Sequence, residues 1–230
     1  MKENLTAIVV IMDKSGSMAG LTLDTIGSFN QFLSEQKVVS GEAVFSLCTF
    51  NTDYSLVHDF LPLQSVSELT NKTYHCEGGT ALLDAMGTTI DSVGSKLNAM
   101  PEQDRPSKVV VLVITDGEEN SSKHFSLEQI KAKVALQTDT YNWQFLFFGA
   151  NIDAIKAGVS LGVASHNSLN YEASAIGTRS LYNTASASIS SYRTTGVLNV
   201  DVDLLNQPPV DVIPPVSPTP TPPVSKRKHK

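Results

Sequence analysis

The sequence predicts a doubly wound α/β fold: a mostly parallel central sheet with one antiparallel edge strand and helices on both faces. Three observations lead there. Strand-like and helix-like stretches alternate along most of the 230 residues, the pattern that produces a parallel sheet covered on both sides. Residues 7–12 and 109–114 are unbroken apolar runs, the second rich in valine, as expected of strands buried on both faces. Each run ends in a polar loop carrying aspartate, and open α/β sheets bind ligands beyond the carboxyl ends of their strands.

Residues 7–12 form the first strand. Residues 22–36 follow as a helix, with Ile26, Phe29 and Leu33 at helical spacing and Asp24 and Thr25 as candidate caps. Residues 43–50 and 54–60 read as strands joined by Asn51-Thr52-Asp53, a short turn-forming link that favours a hairpin and puts the second strand at the edge. Gly78-Gly79-Thr80 opens a helix running to about residue 97, whose apolar stripe is Leu82, Leu83, Met86 and Ile90. Pro101 and Pro106 bracket a polar link into the central strand 109–114. A helix at 127–137, a strand at 143–148 and helices at 152–157 and 172–192 complete the pattern, the last small and polar in composition.

Composition changes abruptly at Gln207. Eight of the 11 prolines fall between Pro208 and Pro223, which favours an extended linker over a packed element. The reading is one domain over residues 1–200 and a Pro-rich flexible tail over 201–230. That tail ends in Lys226, Arg227, Lys228 and Lys230. Its two readings are a solubilising terminus and a docking segment for an SH3-like groove or an acidic surface.

The formal charge of −6 argues against general nucleic-acid affinity. No apolar run approaches the roughly 20 residues a membrane span needs. The amino terminus enters the first strand without an apolar signal segment, so the expected location is cytoplasmic. Cys48 and Cys76 make no disulfide framework, and with His58 and His75 they lack the C-x-x-C or H-x-x-x-H spacing of a zinc site.

The chemistry gathers on three loops. Asp13, Ser15 and Ser17 follow the first strand, Thr80 sits at a helix start, and Asp116 follows the apolar strand 109–114. Each loop alone is an ordinary turn or cap. Together, at the same sheet edge, they offer five oxygen donors, and an oxygen-only set suits a hard cation: Mg²⁺ foremost, with Mn²⁺ or Ca²⁺ as alternatives. Asp84, one helical turn after Thr80, reads either as an outer acceptor orienting Thr80 or a water, or as a surface or cap residue. Glu118 and Glu119 read as solvated loop acids, Met18 and Tyr54 as core or rim packing.

At these positions the sequence resembles the von Willebrand factor type A domain family, over roughly residues 5–195. The family's metal-ion-dependent adhesion site has a D-x-S-x-S loop, a Thr from a second loop and an Asp from a third, matched here by Asp13, Ser15, Ser17, Thr80 and Asp116. The resemblance implies a Rossmann-like fold in which the hydroxyls contact the metal, one or both aspartates act through waters, and an acidic residue of a protein partner completes the coordination. Neutral hydroxyl ligands leave the ion much of its charge toward such a carboxylate; direct Asp contact would weaken that attraction, which implies an open and closed switch. The implied role is a Mg²⁺-dependent binding module or adaptor. Similarity to intracellular bacterial and phage members adds an AAA+ ATPase or another multiprotein complex as the kind of partner.

Enzymatic alternatives use the same residues. A haloacid-dehalogenase-type phosphotransferase needs a second aspartate where Ser15 stands. Gly158-Val159-Ser160-Leu161-Gly162 matches G-x-S-x-G, but a helix, not a strand, is expected before the serine. No nucleotide-binding glycine motif occurs. A metal-assisted hydrolase or phosphotransferase therefore stands as the alternative, disfavoured because the site offers no general base.

Overall fold

The computed structural model describes residues 1–206; of the tail expected over 201–230, residues 207–230, which hold its prolines and basic end, lie outside the described residues. The strands are β1 (Lys2–Asp13), β2 (Glu42–Phe50), β3 (Tyr54–Pro62), β4 (Pro106–Thr115), β5 (Gln144–Gly149) and β6 (Ser168–Asn170). They form one sheet in the order β3-β2-β1-β4-β5-β6. Every neighbouring pair is parallel except β2–β3. The helices are α1 (Thr22–Val38), α2 (Leu82–Ala99), α3 (Leu127–Tyr141), α4 (Ala154–Ser160), α5 (Ala175–Thr195) and the short α6 (Asp203–Asn206). The doubly wound arrangement read from the alternation is the one observed.

Side chains alternate across a strand, so each buried strand serves two cores. Ile8, Val10 and Met12 of β1 and Val110, Leu112 and Ile114 of β4 pack with Phe29, Phe32 and Leu33 of α1 and Leu181, Tyr182 and Ile189 of α5. Ala7, Val9 and Ile11, with Val109, Val111 and Val113, pack with Leu82, Met86 and Ile90 of α2 and Ile130 and Val134 of α3. Two apolar faces require an unbroken apolar run, which is why β1 and β4 were readable from sequence.

Helix α5 is buried despite its polar composition: Ser180, Thr184, Ser186 and Ser188 are all inside. Short side chains let it lie close against α1. The buried Arg193 clamps the two helices, its guanidinium donating to the backbone oxygens of Gln36, Val39 and Gly41. Gln36 in turn donates to Ser186 O at 3.1 Å and Ser190 Oγ at 2.9 Å.

Four local expectations are corrected. Asp24 and Thr25 do not cap α1; a 3-10 turn at Gly16–Leu21 leads into it, and the cap position, Leu21, has no side-chain bond. Gly78-Gly79-Thr80 is not helical; α2 begins at Leu82, because Gly78 adopts a left-handed φ of 74° and turns the chain toward the first loop. Helix α3 runs on to Tyr141, held at its start by a Ser126/Gln129 capping box and stopped by Asn142 at a φ of 55°. Strand β6 escaped notice: three residues are too few to display an alternation.

Beyond α5, Leu198, Val200 and Leu205 pack on the α1/α5 core, and α6 lies against α5. Among the described residues no helix is long and apolar enough to cross a membrane.

Candidate metal centre

Parallel pairing of β1 with β4 aligns Met12 with Ile114, so Asp13 and Asp116 leave the sheet at the same edge. Asp13 is fully buried. One carboxylate oxygen accepts the Ser15 amide at 2.7 Å, an Asx turn that bends the loop at once, and the other accepts the Thr115 hydroxyl at 2.6 Å. Loops one and three are thereby joined through a buried hydrogen bond.

The first loop closes on the third again through Ser17, whose Oγ donates to Asp116 Oδ1 at 2.6 Å and lies 3.1 Å from Ser15 Oγ. Ser15 and Asp116 are buried, whereas Ser17 is exposed. The second loop is tied to the first by Gly16 N donating to Gly78 O (3.0 Å) and Glu77 N to Lys14 O (2.9 Å). Thr80 is buried and held from its backbone: its amide donates to Asn120 Oδ1 at 2.9 Å, while its carbonyl accepts the amides of Asn120 and Ser121. Its hydroxyl points to the same place as Ser17. A methyl group built on Gly117 would lie 3.6 Å from Thr80 Oγ1 and 3.7 Å from Ser17 Oγ.

All five sequence-predicted residues therefore meet at one edge. Two partners were missed. Thr115 carries the Asp13–Thr115 bond, and its only signal was adjacency to Asp116. Tyr74, fully buried, donates to the carbonyl of Asp13 at 2.6 Å; nothing in the sequence marks it.

Burial raises the carboxyl of Asp13 above the usual carboxylate range, against the hydrogen bonds from Thr115 and Ser15 and with a further push from Asp116. Asp116 is raised by burial too, against the bond from Ser17. Neither takes part in an ion pair among the described residues. Two buried carboxylates facing neutral hydroxyls make a pocket of negative potential.

The neighbours are structural. Asp84 does not face the site: its carboxylate accepts the amides of Lys123, His124 and Phe125 at 2.8–2.9 Å, which corrects the outer-acceptor reading. Glu119 is no free loop acid, since it accepts from Leu83, Ser121 and Ser122 and so ties the start of α2 to the third loop. Met18 is core, and the Tyr54 hydroxyl lies 3.4 Å from that of Thr89. Cys48 and Cys76 pack on opposite sheet faces. Ser160 of the G-x-S-x-G run ends α4 with its hydroxyl on Ala157 O, so it stands on no strand-to-helix elbow.

Fold and loop cluster together define a von Willebrand factor type A module. The model of that domain family matches residues 7–196, and the chain belongs to the family. Among solved structures, proximal thread matrix protein 1 from the mussel byssus superposes with a TM-score of 0.55 at 12% identity, over 83% of this chain and 47% of that one. A von Willebrand factor type A protein from Catenulispora acidiphila gives 0.51 at 15%, over 83% and 43%. The D319A mutant of the PilB minor pilin from Streptococcus sanguinis gives 0.51 at 12%, over 86% and 64%. This chain spans less than half the length of the first two, and at such identities the likeness is one of fold. One structure of the mussel protein has zinc in its metal-ion-dependent adhesion motif. No curated protein matches the sequence. The family consists mostly of non-enzymatic interaction modules that bind a divalent metal at this motif.

Proposed function

We propose that this domain is a Mg²⁺-dependent protein-binding module, with Asp13, Ser15, Ser17, Thr80 and Asp116 holding the ion and an acidic side chain of a partner completing its coordination. The observation that carries the reading is the pair of buried carboxylates, Asp13 and Asp116, left without a cationic partner among the described residues and surrounded by hydroxyls. A divalent ion neutralises both and satisfies the hydroxyl oxygens, and an all-oxygen set suits Mg²⁺, Mn²⁺ or Ca²⁺. When bound, the ion supplies a positive centre at the sheet edge.

The chain's own residues then set what can bind. Ser17 is exposed while Asp13, Ser15, Thr80 and Asp116 are buried, so the approach is from the Ser17 side. Beside Gly117 opens a recess of about 420 Å³ lined in part by Leu82, Leu83, Leu127, Ile152 and Leu161, which offers apolar contact to residues flanking the partner's carboxylate. The two site carboxylates are buried among hydroxyls, and Glu119 is tied up by hydrogen bonds from Leu83, Ser121 and Ser122, an arrangement that favours binding over hydrolysis or phosphoryl transfer. The proposal extends, on the family resemblance, to a cytoplasmic adaptor with an AAA+ ATPase or other multiprotein complex as its setting.

The test is affinity capture in Mg²⁺ and in EDTA, with wild type and Asp13→Ala. A partner retained only by wild type in Mg²⁺ supports the reading. Partners retained equally in all four arms, or measurable turnover without any Mg²⁺-dependent partner, contradict it.

A further inference from the structure

We infer that the Tyr171 hydroxyl is a positioning group of the metal centre, donating a hydrogen bond to a water that it shares with the Asp116 carboxylate. This rests on the metal-binding reading proposed above. Tyr171 follows β6, and its amide donates to Gly149 O at the carboxyl end of β5 at 3.0 Å. That fixes the residue at the same sheet edge as Asp116.

Tyr171 is only 8% exposed and belongs to the α1/α5 core with Met12, Ile114 and Tyr182. Three tyrosines crowd this edge. The Tyr74 hydroxyl donates to Asp13 O at 2.6 Å, and that of Tyr182 reaches Met12 Sδ at 3.8 Å. The Tyr171 hydroxyl, although buried, has no hydrogen-bond partner among the described residues. Burial first, then the negative charges of Asp116 and Asp13, push its ionisation upward, so its hydroxyl feels both carboxylates.

A buried hydroxyl without a partner is unfavourable, whereas a water between polar groups is a regular structural component where it finds two to four partners. The phenol proton and the site carboxylates supply them. Asp116 spends one oxygen on Ser17, and its second remains an acceptor. Such an outer contact orients a carboxylate or its water toward an ion, and its loss typically weakens metal binding by about 10–100-fold.

The experiment compares the full chain with Tyr171→Phe, which keeps the ring. Mg²⁺ affinity is measured by titration calorimetry, and thermal unfolding is followed in EDTA. The expected result is Mg²⁺ affinity weakened about tenfold or more in a variant that still unfolds cooperatively in EDTA, so that the loss is one of binding and not of folding. Unchanged affinity in Tyr171→Phe overturns the inference and leaves the metal reading intact. Failure of wild type to bind Mg²⁺ overturns the metal reading and this inference together.

Discussion

Ser17 Oγ donates to Asp116 Oδ1 at 2.6 Å, joining two residues 99 positions apart in the chain. This bond closes the first loop onto the third, and both atoms belong to the proposed donor set. Ser17→Ala removes a charge-assisted hydrogen bond at an exposed residue, an expected loss of about 1 kcal/mol in EDTA. Mg²⁺ affinity should fall much further, by at least about tenfold, while Ser17→Thr retains most of it. Urea unfolding in EDTA paired with calorimetric titration separates the two effects.

Thr80 depends on a chain of contacts that begins at Asp84. The Asp84 carboxylate gathers the amides of Lys123, His124 and Phe125, which shapes the loop whose Asn120 holds the Thr80 backbone. Burial pushes the Asp84 carboxyl up, but the three amide bonds outweigh it and hold the group below its ordinary value. Asp84→Ala should cost about 2 kcal/mol and speed hydrogen exchange of amides 120–126. Unaltered exchange there would mean the loop is shaped by other contacts.

His58, buried on the edge strand β3, bonds Ser67 O through Nε2 at 3.1 Å. Burial lowers its ionisation below the ordinary 6.5, against the Ser67 bond. The folded protein keeps the ring neutral while the unfolded chain takes the proton first. Its contribution is therefore complete above pH 6.5 and lost as pH falls toward the folded value. Urea midpoints at about pH 7.5 and 5.5 should drop more in wild type than in His58→Gln, and equal drops would contradict this.

Arg193 holds α5 against the end of α1 through the carbonyls of Gln36, Val39 and Gly41. Arg193→Met keeps the stem but strands these oxygens, an expected loss of about 3 kcal/mol. Chemical denaturation measures it. A change below about 0.5 kcal/mol, the size of an ordinary surface substitution, would show that water replaces the guanidinium without penalty.

What could be read beforehand follows from the range of each signal. Strands β1 and β4, apolar on both faces, declare themselves in their own sequence, and the three loops follow from where strands and helices meet. Asp13, Ser15 and Ser17 were visible as one local run. Thr80 and Asp116 gained meaning only from their order behind it. The partners that orient the cluster were not legible: Tyr74 reaches Asp13 from 61 positions away and Thr115 from 102. Asp84 was misjudged for a related reason, since one helical turn from Thr80 is compatible with two directions and only the course of the loop at 120–126 decides between them.

We propose that Asp13 and Asp116 are buried as a pair to hold a divalent ion. Titration of Mg²⁺ into the metal-free full chain, with Asp13→Ala as control and circular dichroism to show that both are folded, tests it most directly. The expected result is saturable binding of one ion by wild type and its loss in Asp13→Ala. Absence of saturable binding by the folded wild type, or equal binding by both proteins, would contradict it.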